Sequence, residues 1–383
     1  MTDVVIIDAL RTPIGRRNGA LAGTHAADLL GGALQGLVQR SGVDPKAIGQ
    51  VTAGCVQQVG MQSGNVARTA WLGAGLPLEV PATTVNVQCG SGQQATTLAH
   101  GLLAAGLIDV AVACGVENMS AVPFGSTVPQ DPYSGPRYPS GYETHYDATT
   151  QFEGADRIAA AFGISRFDTE EFGLRSQERA AGAWADGRFD SQVVAVELPD
   201  GGRFGRDECL RASSLDALAG LRTTRDADDA VHTAGTSSQI ADGASALLLS
   251  TADRAATLGL TPRARIVDSV LVGSDPELML TGPIPATRAL LERTGLRLDD
   301  IDVFEVNEAF ASVVLAWAKE TGADLERTNP NGGAIAHGHP LGATGPILLT
   351  KALHELERIE GRYALVTMCC GGGLGTGTVI QRT

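Results

Sequence analysis

Short runs of β-branched residues alternate with alanine- and leucine-rich stretches along almost the whole chain, a pattern that calls for an α/β fold with largely buried sheets. Residues 4–8, 85–87 and 110–112 read as strands in the first third, and residues 264–272, 301–306, 363–369 and 376–380 in the last. Helices are predicted over residues 26–40, 92–105, 169–185, 285–294, 309–319 and 344–357. Only 4% of the residues are aromatic, so the core must close on Ala, Val, Leu and Ile. A chain of 383 residues exceeds the usual size of one hydrophobic core, and two or three packed units are expected.

The middle of the chain breaks the alternation. From Met119 to Gln151 it is rich in Pro, Gly, Ser and Tyr, and loops of that length are usually functional. A charged helical segment follows, up to the turn Thr233-Ala234-Gly235-Thr236-Ser237-Ser238. The expected division is therefore an N-terminal half over residues 1–118 plus 241–262, an inserted loop domain over 119–240, and a C-terminal half over 263–383. The two outer parts are faintly alike. Each has a Gly-rich turn opening a helix, Cys89-Gly90-Ser91-Gly92 in one and His339-Pro340-Leu341-Gly342 in the other. Each then has an apolar strand ending in small residues, at 111–115 and at 366–371. Two such units packed face to face would bring both turns together.

A formal net charge of −14 opposes general binding to nucleic acid or to an anionic membrane face. Met1 leads straight into Val4-Val5-Ile6-Ile7, too short for the apolar core of an export signal, and no run reaches the length of a membrane span. A cytoplasmic protein is expected. The six cysteines are scattered without a CxxC pair, which favours reduced thiols over a disulfide framework.

Four segments carry chemistry. In Asn86-Val87-Gln88-Cys89-Gly90-Ser91-Gly92 a strand runs into a Gly-rich turn and a helix, which puts Cys89 near free N–H groups that favour a thiolate. The alternative is a small buried hydrophobe. In Gly332-Gly333-Ala334-Ile335-Ala336-His337-Gly338-His339-Pro340, Pro340 disfavours helical backbone at His339 and suits the edge of a helix, where an imidazole can act as a base or donate to an oxyanion. Metal binding by His337 and His339 lacks a third ligand of suitable spacing, and His337 reads as a bystander. In Val303-Phe304-Glu305-Val306-Asn307-Glu308, Asn307 either caps the next helix or positions a catalytic water, and Glu308 would fix the surrounding loops. In Thr367-Met368-Cys369-Cys370-Gly371-Gly372-Gly373, a strand delivers a thiol to glycines whose N–H groups are free to face a ligand. Neighbouring residues on a strand point to opposite faces, so only one of Cys369 and Cys370 can share a cavity with Cys89.

These four segments, in this order and together with the opening Asp8-Ala9-Leu10-Arg11-Thr12-Pro13, resemble the thiolase family from end to end. The resemblance implies a five-layered α-β-α-β-α fold built from two similar halves, with the inserted loop domain binding coenzyme A or acting as a lid. It implies acyl transfer between 3-ketoacyl-coenzyme A and coenzyme A, with no metal and no permanently bound cofactor. By that resemblance Cys89 would be the acylated nucleophile, His339 its activator, and Cys369 the acid/base on the α-carbon of acetyl-CoA. Asn307 would hold a water that completes one oxyanion hole with His339. The N–H groups of Cys89 and Gly371 would form the other. Ser238 would contact the pantetheine arm, and Met279 and Phe310 would line the acyl and pantetheine pocket. The assembly implied is a homodimer, with a homotetramer as the alternative.

The sequence also departs from the family pattern. Gln151-Phe152-Glu153-Gly154 stands where thiolases dedicated to acetoacetyl-CoA often have His-Met-Gly, and Gln239 follows Ser238 where many relatives have Gly. Both point to an acyl chain longer or bulkier than acetoacetyl. Two other readings compete: a 3-ketoacyl synthase, which typically uses two histidines, and a non-catalytic lipid-binding relative, which would be expected to lose Cys89, His339 or Cys369.

Overall fold

The computed structural model describes residues 3–128, 135–198 and 201–383. The first part supplies β1 (Val4–Arg11), β2 (Gly15–Arg16), α1 (Ala26–Ser41), β3 (Gln50–Gly54), α2 (Val66–Gly73), β4 (Ala82–Val85), α3 (Ser91–Ala104) and β5 (Val110–Asn118). The middle adds α4 (Gln151–Phe162), α5 (Arg166–Ala185), β6 (Val196–Glu197), β7 (Arg203–Phe204) and α6 (Leu215–Ala219). Next come β8 (Ala241–Thr251), α7 (Ala252–Thr257), β9 (Ala264–Gly273), α8 (Pro283–Thr294) and β10 (Val303–Val306). The chain closes with α9 (Ala311–Thr321), α10 (Ala334–His337), α11 (Leu341–Arg358), β11 (Tyr363–Cys370) and β12 (Leu374–Arg382).

Strand alternation decides how these elements stack. On β5, Val110, Val112, Cys114 and Val116 face a core shared with Leu30 and Leu34 of α1 and Trp71 of α2. Ala111 and Ala113, pointing the other way, join Ala99 and Leu103 of α3 and Leu349 and Leu353 of α11. That central layer also receives Val303, Val366 and Met368 from the second group of strands. The far face of those strands, through Phe304, Leu365 and Val379, packs on Leu290 of α8 and Trp317 of α9. The order is thus helices, strands, helices, strands, helices: the five-layered α/β arrangement expected. Each fully buried Leu or Val in these layers contributes roughly 1.5–3 kcal/mol of transfer free energy.

The two halves repeat. In the first, β4, β3 and β5 run parallel and β8 and then β1 add antiparallel. In the second, β10 and β11 run parallel and β12 and then β9 add antiparallel. A parallel bridge between Phe304 and Thr328 stands where β4 stands in the first half. The outer strands β1 and β9 meet along Val5–Arg265 and Ile6–Ala264, which makes one continuous ladder. In this duplication α3, which follows Cys89, corresponds to α11, which follows His339. The starts of the two helices touch because glycines permit it: a side chain on Gly92 or Gly115 would collide with the Gly342 carbonyl.

Several elements went unforeseen. β8 lies at the heart of the first half, buried along its length between β1 and β5. Its sequence, ADGASALLLST, is poor in β-branched residues, so its composition conceals it. β3 and α2 were also missed. The strand predicted over 85–87 ends at Val85, because residues 87–89 already turn toward α3. Among the described residues no helix is long and apolar enough to cross a membrane.

Candidate active site

The turn before α3 is held in an unusual backbone state. Gln88 has φ of 52°, the left-handed region that non-glycine residues seldom occupy. Ser91 clamps it, its hydroxyl donating to the Gln88 carbonyl at 2.5 Å and accepting from the Val87 N–H at 3.0 Å. Local strain of this kind persists where surrounding contacts over-determine it. The result presents Cys89 to a cavity at the first turn of α3. Burial pushes its thiol up to about 11, against the N–H groups of Gly371 and of Cys89 itself, which favour the thiolate. The thiolate expected from the helix terminus is therefore not the resting state; desolvation outweighs the dipole.

His339 lines the same cavity, and burial lowers its imidazole to about 4. Its tautomer follows from its neighbours. The Thr344 hydroxyl donates to the Pro340 carbonyl at 2.9 Å, so it accepts from Nδ1–H of His339 at 2.7 Å. Nε2 is left with its lone pair, the atom a base uses. The Asn307 side-chain nitrogen donates to it at 3.3 Å. Asn307 Oδ1 is buried and makes no hydrogen bond among the described residues, which leaves an acceptor for a water or substrate donor.

Glu308 fixes loops, as the sequence suggested. Its carboxylate accepts from Ser176 of α5 at 2.7 Å, from Asn329 at 2.9 Å and from the Ile335 N–H at 3.1 Å. The two adjacent cysteines part company as strand geometry requires. Cys369 packs with Met279, Leu280, Ala309 and Phe310. Cys370 lies beneath the turn that carries Cys89, where a side chain on Gly90 would meet its sulfur. Burial raises both thiols, and a charge on Cys89 would raise each further.

Cys89, His339, Gly371, Ser238 and Phe310 thus surround one cavity. Met279 stands one step behind its wall, in contact with Cys369 and Phe310, while Leu280 reaches the surface of the cavity. The sequence missed Phe124, Met119 and Leu341 of the lining. It also missed Glu117, a lone acid at the end of an apolar strand, which is the signal that could have found it. Its buried carboxylate accepts from the N–H groups of Val56, Gln57 and Gly342 at 2.9 Å each and from Gln62 at 2.8 Å. It therefore ties the turn after β3 to the first turn of α11, just past His339. Glu117→Ala is expected to cost about 3 kcal/mol or more, because several buried donors lose their acceptor at once. The urea midpoint measures this, and an unchanged midpoint would remove Glu117 as the hub.

Comparison with known proteins gives a consistent result. The family described as Thiolase, N-terminal domain matches residues 4–253, and Thiolase, C-terminal domain matches residues 260–382. The steroid 3-ketoacyl-CoA thiolase FadA6 of Mycobacterium tuberculosis is 48% identical, over 100% of this chain and 95% of that protein. The beta-ketoadipyl-CoA thiolase of Pseudomonas putida is 42% identical over 100% of both. The crystal structure of the Bacillus anthracis acetyl-CoA acetyltransferase superposes with a TM-score of 0.92 at 36% identity, covering 100% of this chain and 99% of that one.

Proposed function

The chain belongs to the thiolase family and is an acyltransferase acting on 3-ketoacyl-coenzyme A, and from that premise we propose that the reaction runs through an acyl-enzyme on Cys89. In the cleavage direction Nε2 of His339 takes the Cys89 proton as the sulfur attacks the 3-keto carbon. Because the thiol is weakly acidic and the imidazole weakly basic, proton transfer accompanies attack and does not precede it. The N–H groups of Cys89 and Gly371 hold the tetrahedral oxyanion. The carbon–carbon bond then breaks, and the enolate oxygen of acetyl-CoA is met by His339, now protonated at Nε2, and by a water held on Asn307. Fixed donors of this kind are each worth ~3 kcal/mol in the transition state. The Cys369 thiol protonates the enolate carbon. Its thiolate next takes the proton of coenzyme A, whose sulfur attacks the acyl carbon, and Cys89 leaves as a thiolate that recovers its proton from Nε2 of His339. The observation that carries this reading is the meeting of Cys89, His339 and Gly371 around one cavity, with Cys369 packed against its wall.

The lining also argues for a substrate class. Met119, Phe124, Phe152, Ile240, Leu280 and Leu341 line the cavity, and among the described residues no lysine or arginine does. The acyl group is neutral, apolar and larger than acetoacetyl. A terminal carboxylate, such as the one the name of the Pseudomonas relative implies, would be stranded at a cost of several kcal/mol. Thiolysis of acetoacetyl-, 3-ketodecanoyl-, ring-bearing and 3-ketoadipyl-CoA tests this. The apolar long or ring-bearing substrates should exceed 3-ketoadipyl-CoA in kcat/KM by roughly 100-fold. Preference for 3-ketoadipyl-CoA would sink the substrate reading, and cleavage of none of them would sink the reaction.

The synthase alternative is disfavoured by one observation: His339 is the single histidine lining the cavity among the described residues, because His337 points away to Asp207. A cytoplasmic homodimer, with a homotetramer as the alternative, is the proposed setting, and β4, an end strand of the sheet among the described residues, is offered as the edge for a second copy. Residues 1–118 with 241–262, 119–240 and 263–383 are the proposed domains.

A further inference from the structure

The base sits on a short crossing of the backbone that the middle region grips from outside. Gly338 has φ of 95°, and a side chain there would collide with Ala241 and crowd Cys209. The chain therefore passes through a tight gap, with His339 turned toward Cys89 and His337 turned the other way. His337 is nearly buried, and its ring stands edge-on to Phe189 at 5.2 Å. Nδ1 lies 3.0 Å from the Asp207 carboxylate and Nε2 lies 2.8 Å from the Asn331 carbonyl. Both partners are acceptors, and the ring is held between them.

Asp207 is anchored from the other side. It accepts from the Arg11 guanidinium at 2.7 and 3.1 Å and from the Ile14 N–H at 2.8 Å. Burial opposes its charge, but Arg11 and His337 hold its carboxyl well below the usual carboxylate range. Two residues on, the Cys209 carbonyl accepts from the Gln239 side chain at 2.8 Å. The same Gln239 nitrogen donates to the Ile335 carbonyl at 2.9 Å, and the Gln239 carbonyl accepts the His339 N–H at 2.9 Å.

We propose that the stretch from Asp207 to Cys209 is a clamp that sets the position of His339, acting through two positioning residues, His337 and Gln239. The clamp rests on the reading of His339 as the base. Its function is geometric: it joins the end of β1, the middle region and the catalytic turn into one rigid unit. A displacement of about 1 Å at a reacting group can cost roughly 100-fold in rate. His337, a bystander when read from sequence, is one of the two contact points.

Steady-state thiolysis by the full chain tests the clamp, with His337→Leu, His337→Gln and His339→Asn beside the wild type. His337→Leu should lose kcat by about 10- to 100-fold while KM for both substrates stays within about twofold. His337→Gln keeps an N–H for Asp207 and should recover a large part of that loss. A folded His337→Leu enzyme with wild-type kcat, or with a loss no larger than its unfolded fraction, overturns the clamp. If His337→Leu does not fold, Gln239→Ala removes the side-chain bonds to Cys209 and Ile335 while the main-chain bond to His339 stays. Gln239 also lines the cavity, so kcat is read apart from KM, and a wild-type kcat there overturns the clamp as well. Loss in His339→Asn with none in His337→Leu removes the clamp and keeps the base. Full activity in His339→Asn removes the base, and the clamp falls with it.

Discussion

Cys89→Ser is expected to lower thiolysis by on the order of 10⁴-fold or more while leaving the urea midpoint essentially unchanged. Serine fills nearly the same space, so the packing of α3 and the Gln88–Ser91 clamp survive. The chemistry does not. The imidazole of His339, lowered by burial to about 4, is a weak base, and a hydroxyl gives up its proton far less readily than a thiol. Intact-mass analysis after mixing with a 3-ketoacyl-CoA, without free coenzyme A, should find the acyl group on wild-type Cys89 and nowhere on the variant. The state of the thiol can be read in parallel. Since burial pushes Cys89 up to about 11, its alkylation by iodoacetamide should still be accelerating above pH 9 and should not level off near neutrality. Near-wild-type turnover by Cys89→Ser would remove Cys89 as the nucleophile.

Much of the site was legible in the sequence because each part is a local backbone event. A strand, a Gly-rich turn and a helix start can be read within ten residues, and that is how Cys89 and His339 were placed. The pairing of the two turns also followed from the likeness of the halves, since equivalent helices α3 and α11 share the central layer. Contacts distant in sequence escaped. Glu117 reaches Gly342 across 225 positions, and Asp207 reaches His337 across 130. A motif window shows His337 only as a second histidine with no ligand partner. Its partner lies in the middle region, in the stretch read from sequence as a charged helical segment.

Charge states were less legible still. The helix-terminus argument for a Cys89 thiolate was sound as to sign and wrong as to balance. The helix dipole can be read from sequence, but the cost of withdrawing the sulfur from water depends on how the layers close around it. β8 shows the same limit for secondary structure. Its alanines and serines are weak strand formers, and only pairing on both edges makes them one. Gln239 was flagged as a departure bearing on the acyl group. It lines the cavity and also grips the catalytic turn, so a single departure has two consequences.

Cys369→Ala should abolish exchange of the acetyl-CoA methyl protons with solvent while still allowing an acyl group to load onto Cys89, and Cys370→Ala should keep both the exchange and the loading. The strand separates the two sulfurs. Cys369 packs with Met279 and Phe310 against the cavity where an acetyl group would lie. Cys370 is directed at Gly90 and Thr376, under the turn that carries Cys89 and away from that space. In the proposed mechanism, removing the Cys369 sulfur takes away the group that carries a proton to and from the α-carbon, and general acid–base catalysis of this kind is worth roughly 10²–10⁴-fold. Removing the Cys370 sulfur leaves a small cavity beneath Gly90, for which about 1–2 kcal/mol of stability is the expected cost. Proton NMR of acetyl-CoA in deuterated buffer follows the exchange directly, and intact mass follows the loading. If exchange survives in Cys369→Ala and is lost in Cys370→Ala, the proton moves through the other sulfur, and the acetyl group must then lie on the Gly90 side of the strand.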